Sequence, residues 1–162
     1  MFSKEILRNK FSLIRKKRYF EVRENFFSPI LRMIKKSNLR NIACYYPSNY
    51  ELSTLKLLKL LNRNKKTSTL LPCISNGSMK FVKWNLQEPL KVNKFGFLEP
   101  FQVSKTSKPD LIVAPLLAFD KSKNRLGYGK GYYDKFLKKN RKTITIGIAF
   151  SFQKYNKIKT SN

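Results

Sequence analysis

The sequence predicts an α/β fold: a single domain over residues 1–162, built on a mostly parallel or mixed sheet with helices on both faces. Three observations carry that prediction. Short apolar runs alternate along the chain with stretches whose apolar residues recur three and four apart, the order expected of βαβ units. Two of those runs, 41–47 and 111–115, are closed by proline and are apolar on successive residues, the pattern of strands buried on both faces. A glycine-rich turn stands between one such run and a helical stretch, at the end of the sheet where open α/β folds bind ligands.

The elements follow in order. Ser3 is placed to cap a helix carrying Ile6, Leu7, Phe11 and Ile14 at helical spacing. A second helix is expected around Phe26, Phe27, Ile30, Leu31 and Ile34, with Pro29 near its first turn. Asn41 to Pro47 reads as a buried strand, Leu52 to Leu61 as a helix, and Thr67 to Leu71 as a strand ended by Pro72. Met79 to Trp84 alternates as a strand does, whereas Asn85 to Phe101 carries turn residues and few periodic signals. Leu111 to Pro115 is a strand, Tyr132 to Lys139 a helix, and Thr143 to Phe150 a last strand.

Composition narrows the function classes. At 41% apolar residues, with 13 Phe and 8 Tyr, the chain can bury a core. No stretch reaches the roughly 18 apolar residues of a membrane span, and no apolar h-region follows the charged N-terminus, so a cytoplasmic protein with no membrane partner is expected. Cys44 and Cys73 sit in apolar stretches without C-x-x-C spacing and read as reduced core residues. The chain has no histidine, which removes serine–histidine triads and histidine-bound zinc. The formal charge of +26 admits a nucleic-acid-associated protein as the rival class. Against it, lysine far outnumbers arginine, the basic residues are spread along the whole chain, and no specific nucleic-acid motif is present. The same field would draw in ATP or another anionic small molecule.

Chemistry concentrates in Arg125-Leu126-Gly127-Tyr128-Gly129-Lys130-Gly131-Tyr132-Tyr133-Asp134. Glycines let backbone N–H groups converge on phosphate oxygens, the following helix offers its positive end, and Arg125 and Lys130 add full charges. Asp134 is an oxygen ligand of the kind Mg²⁺ takes. The loop is neither a Walker A sequence, since Gly131 follows Lys130, nor the G-x-G-x-x-G dinucleotide fingerprint, since the third glycine comes one residue early.

The wider string, Pro109 to Pro115, Ala118-Phe119-Asp120 and Asn124 to Leu137, resembles the signature of the 5-formyltetrahydrofolate cyclo-ligase family, also called methenyltetrahydrofolate synthetases. The similarity runs outward through Lys4 to Arg8, Tyr46-Pro47 with Glu51 and Thr54, Leu71-Pro72, the Met79 to Trp84 stretch, Phe95-Gly96 with Glu99-Pro100, and Ile146 to Phe150. The loop is a highly specific motif; the flanking matches are weak one by one.

The resemblance implies an ATP- and Mg²⁺-dependent conversion of 5-formyltetrahydrofolate to 5,10-methenyltetrahydrofolate, through phosphorylation of the formyl oxygen and closure by the 10-nitrogen. On that basis Lys4, Arg8, Arg125, Gly127, Tyr128, Gly129, Lys130, Gly131, Tyr132 and Tyr133 are expected to hold ATP, with Arg125 and Lys130 catalytic and Asp134 on the metal. Tyr46, Glu51, Trp84 and Tyr132 are expected to hold the folate. From spacing alone, Lys4 and Arg8 read as a solvated basic face, while Glu51 reads equally as an acid at a helix N-terminus, and Tyr46 and Trp84 equally as core aromatics. The family's usual continuation carries a further acidic residue associated with Mg²⁺ and a last strand. Neither is found in these 162 residues, so the sheet is expected to be short at its C-terminal end and the metal to rest on Asp134 and water. A homologue that binds ATP or folate without turnover is the second alternative.

Overall fold

The computed structural model describes residues 2–103 and 106–159. Helix α1 (Lys4–Arg18) opens on Ser3, whose side chain accepts the Ile6 N–H at 3.3 Å. A turn of 3₁₀ helix (Glu24–Phe27) leads into α2 (Ser28–Lys36), with Pro29 in its first turn, where a missing N–H costs nothing. Then follow β1 (Asn41–Ala43), α3 (Leu55–Arg63), β2 (Ser68–Ser75) and β3 (Ser78–Lys83). Two small hairpins, β4 (Leu90–Val92) with β5 (Leu98–Pro100) and β7 (Ala118–Phe119) with β8 (Arg125–Leu126), flank β6 (Leu111–Ala114). Helix α4 (Tyr132–Lys139) and β9 (Ile144–Gly147) complete the order.

The main sheet runs β3-β2-β1-β6-β9 and is parallel except for β3, which pairs antiparallel with β2. From β1 the chain passes outward through α3 to β2; from β6 it passes outward the other way through α4 to β9. Right-handed crossovers in opposite directions put the two helices on opposite faces. The packing agrees. Ile42, Cys44, Leu71, Leu111 and Val113 meet α2 and α3 through Ile30, Ile34, Leu57, Leu58 and Leu61. Ala43, Leu70, Phe81, Ile112 and Ala114 face α4 through Tyr132, Tyr133, Phe136 and Leu137. Helix α1 packs instead on the β7–β8 hairpin, where Leu7 and Phe11 meet Leu117, Ala118, Leu126 and Ile158. Cys44 and Cys73 are free thiols, both buried.

Three expectations need correcting. The run Asn41 to Pro47 is a strand only to Ala43; Tyr45 and Tyr46 leave the sheet, with the Tyr45 hydroxyl donating to the Leu52 carbonyl and Thr54 Oγ1 to the Tyr45 carbonyl, both at 2.6 Å. Proline does not end β2 at Leu71. The Trp84 N–H bonds Thr69 O, so the bonded pairs along β2 are the odd residues, and Pro72 stands opposite Phe81 where its nitrogen faces away from β3. Third, the turn-rich stretch Asn85 to Phe101 holds the β4–β5 hairpin, anchored by buried Glu99, which accepts from the Ile74 N–H at 3.1 Å and Asn93 Nδ2 at 3.2 Å.

One contact makes a test of the β9 edge. A Cβ added at Gly147 would lie 2.6 Å from Leu116 Cδ2, itself buried. Gly147→Ala is expected to cost about 1–2 kcal/mol through that overlap, read as a lowered urea midpoint with an unchanged denaturant slope.

Candidate active site

Because the crossovers diverge, β1 and β6 flank the point where strand order reverses, and their carboxyl ends open into a crevice. The segments after them supply Tyr45, Tyr46 and Pro115 to a cleft of about 310 Å³. Every residue proposed from the sequence except Trp84 lines this cleft. Lys4 and Arg8 come from α1, Tyr46 and Glu51 from the segment after β1, and Arg125, Gly127, Tyr128, Gly129, Lys130, Gly131, Tyr132, Tyr133 and Asp134 from β8, the glycine loop and α4. Trp84 lies behind it in the core. Its indole N–H donates to the Glu88 carbonyl at 3.0 Å, and its ring meets Tyr46 edge-on at 6.2 Å. It therefore backs Tyr46 and does not face the cleft.

The glycine loop rests on α1. Arg8 Nε donates to the Gly127 carbonyl at 2.9 Å, and a Cβ at Gly129 would stand 3.1 Å from Arg8 Cζ. Gly129 at φ +98° and Gly131 at φ +68° hold left-handed conformations that only glycine adopts freely. Gly131 precedes α4, and no side chain caps the first turn of that helix. Its N–H groups are thereby left to an anion.

At the other end the cleft is aromatic. Phe97 approaches Tyr128 and Phe95 approaches Tyr132, with ring centroids 6.1 and 5.9 Å apart, while Lys130 Nζ stands 5.3 Å from the Phe95 ring. Glu51, only 5% exposed, presents a carboxylate there. Its Oε2 accepts from the Ser48 N–H at 2.8 Å and its Oε1 from the Tyr128 hydroxyl at 2.5 Å. Burial pushes this carboxyl above the usual range, against the pull of Tyr128, Ser48 and Arg15. Burial and the Glu51 charge also push the Tyr128 and Tyr133 phenols far up, so both remain hydrogen-bond donors at neutral pH.

A second, broader groove of about 1020 Å³ adjoins the cleft and is cationic, with Lys4, Lys121, Lys123, Lys154, Lys159 and Arg125 on its walls. Lys4, Arg125 and Asp134 border both spaces. Arg125 is the partition: Nη2 pairs with Asp134 Oδ1 at 2.5 Å, and the guanidinium stands 5.4 Å from the Tyr133 ring. The Asp134 side chain is 75% exposed. Among the described residues no three of His, Cys, Asp and Glu cluster as a metal cage. None of their helices is long and apolar enough to cross a membrane. Asp120, in the signature string, ties a turn by accepting from Asn124 and from the Ile158 N–H at 2.9 Å.

Sequence reasoning missed Arg15, Phe95 and Phe97. Arg15 had a signal, because it continues the buried stripe of Leu7 and Phe11 at i+4 spacing, where a charge is out of place. The two phenylalanines were hidden among the turn residues of the β4–β5 hairpin.

Comparison with known proteins shows the family. A family model described as the 5-formyltetrahydrofolate cyclo-ligase family matches residues 3–161. A Haemophilus influenzae protein named 5-formyltetrahydrofolate cyclo-ligase is 33% identical over 141 residues, covering 82% of this chain and 75% of that protein. One of the same name from Mycoplasma genitalium is 34% identical over 123 residues, covering 75% and 66%. The solved structure of Aquifex aeolicus 5,10-methenyltetrahydrofolate synthetase superposes with a TM-score of 0.75 at 26% identity, covering 98% of this chain and 84% of that one. That of a 5,10-methenyltetrahydrofolate synthetase from Mycoplasma pneumoniae shares the fold, with a TM-score of 0.75 at 24% identity. Matched along nearly its whole length, the chain belongs to the 5-formyltetrahydrofolate cyclo-ligase family of enzymes.

Proposed function

We propose that this enzyme converts 5-formyltetrahydrofolate and ATP into 5,10-methenyltetrahydrofolate, ADP and phosphate. The observation that carries the reading is the meeting of an aromatic cleft floored by a carboxylate with a cationic groove, divided by Arg125. The pterin is flat and presents several N–H donors along one edge. Tyr46, Tyr132, Phe95 and Phe97 suit its faces, and Glu51 suits that edge. The triphosphate suits Lys4 and Arg125 on the border of the groove, with Arg8, the loop N–H groups and the uncapped start of α4 on the cleft side.

In this arrangement the formyl oxygen attacks the γ-phosphorus and the bond to the ADP oxygen breaks. The 10-nitrogen of the folate then attacks the activated carbon, loses its proton, and phosphate departs with the former formyl oxygen. The protein supplies alignment and charge, not a covalent group. Arg125 on one side and Lys130 on the other neutralise the phosphoryl oxygens in flight. Asp134, exposed in the first turn of α4, would hold the Mg²⁺ of a bound nucleotide, since that ion takes one or two protein carboxylates besides phosphate oxygens and water. Bound there, it would supply further charge neutralisation at the phosphates.

The test is the absorbance of the methenyl product during incubation with 5-formyltetrahydrofolate, ATP and Mg²⁺. An ATP-dependent rise is expected. Folate and ATP binding with no rise would instead identify a homologue without turnover. The loop offers a narrower check. Gly129→Ala combines a disfavoured φ with a tight approach that would push the Arg8 guanidinium aside by a few tenths of an ångström, and is expected to lower kcat/KM for ATP by roughly 10–100-fold. Gly131→Ala meets no atom within 4 Å, so its cost is limited to backbone strain of about 1–2 kcal/mol.

A further inference from the structure

Arg15 is 1% exposed, the one basic side chain in the described core. Its guanidinium lies beneath the cleft. Nη1 donates to the Tyr128 hydroxyl at 2.7 Å and to the Leu116 carbonyl at 3.4 Å, and Nη2 donates to the Asn49 carbonyl at 2.5 Å. The Tyr128 hydroxyl, accepting from Arg15, donates in turn to Glu51 Oε1. Guanidinium, phenol and carboxylate thus form one directed chain whose last member faces the cleft. Such chains polarise, each bond strengthening the next.

A buried charge is a poor way to stabilise a core. An apolar side chain of similar volume usually serves as well or better, and Arg15 Nε has no partner at all. The position calls for another role. Glu51 is hemmed in by Tyr45 after β1, Tyr128 in the loop and Tyr133 in α4, phenols that carry no positive charge, while Arg15 of α1 is the cation that acts on it. We infer that Arg15 is a positioning residue for the folate. Acting through Tyr128, it holds the Glu51 carboxylate charged and aimed into the cleft, although it touches no substrate itself.

The inference rests on the proposed folate role of Glu51, and the wild-type assay separates the two: if the wild type forms no methenyl product, that reading fails first. In an active wild type, Arg15→Met is expected to raise the folate KM by roughly tenfold at neutral pH, the usual order for one hydrogen bond to a charged group. The ATP KM should stay within about twofold, since the loop group that Arg15 bonds is the Tyr128 hydroxyl, turned toward Glu51, and the triphosphate is assigned to the loop N–H groups. The acidic limb of kcat/KM for folate should move to higher pH, because Glu51 loses the cation that favours its charged form. Arg15→Lys keeps the charge and should restore much of that limb. Tyr128→Phe, which cuts the chain and leaves both ends, should shift it as Arg15→Met does, and serves if Arg15→Met does not fold. A uniform fall in activity at every pH, or equal losses for folate and ATP, would reduce Arg15 to a structural residue.

Discussion

Replacing Arg125 by alanine is expected to lower kcat about a thousandfold, roughly 4 kcal/mol in the barrier, with a much smaller change in the folate KM. The size follows from position. Arg125 borders both the aromatic cleft and the cationic groove, and its guanidinium stands over Tyr133 while holding Asp134. On the proposed reaction a cation at that junction would meet the phosphoryl group during transfer, when its charge is most widely spread, so the interaction would belong to the transition state more than to either bound substrate. Arg125→Lys keeps the charge but loses the planar fork that bonds Asp134 and lies over the ring, and should recover only part of the rate. Steady-state kinetics with each substrate varied in turn checks this. A change confined to the folate KM would move Arg125 out of the transfer step.

Glu51→Gln is expected to raise the folate KM by about two orders of magnitude, because an amide presents one acceptor and one donor where the carboxylate presents only acceptors. ATP binding, measured by itself, should be nearly unchanged. The same variant reports on stability. Burial holds the Glu51 carboxyl above its unfolded value, so its ionisation opposes folding. Below the ordinary carboxyl range the group is neutral in both states and no cost arises. As pH rises from the unfolded value through the raised folded one, the wild type should lose stability relative to Glu51→Gln. Thermal melts of the ligand-free proteins across that range test the sign; a wild type that gained on the variant with rising pH would contradict the burial reading. Saturating folate should narrow the gap, since its N–H donors satisfy the charged form.

Much of this site was legible in the residues. The glycine loop announces itself by its closely spaced glycines, of which Gly129 and Gly131 sit at positive φ and Gly127 does not. Lys4 and Arg8 were singled out by the family resemblance, since their helical spacing alone reads as a solvated basic face; the fold shows that α1 lies under the loop, with Arg8 bonded to Gly127. Trp84 was misplaced for a plain reason. An aromatic residue beside a strand looks the same in sequence whether it lines a cleft or backs one, and here the ring is buried and the indole N–H is engaged by the carbonyl of Glu88 in the following turn. The β4–β5 hairpin escaped because three-residue strands among turn residues carry no period to detect, yet it delivers Phe95 and Phe97 to the cleft.

The alternation of strands and helices, the glycine loop and the absence of histidine chemistry were written in the residues alone. These are local properties, set by periodicity, backbone freedom and residue type. Tertiary structure alone decided which distant charges meet. Arg15, Glu51 and Tyr128 stand far apart along the chain and become one hydrogen-bonded chain beneath the cleft. Arg125 becomes the partition between two spaces because β8 and α4 bring it against Asp134. Such pairings depend on the order in which strands join the sheet, and strand order is a long-range outcome that no local pattern records.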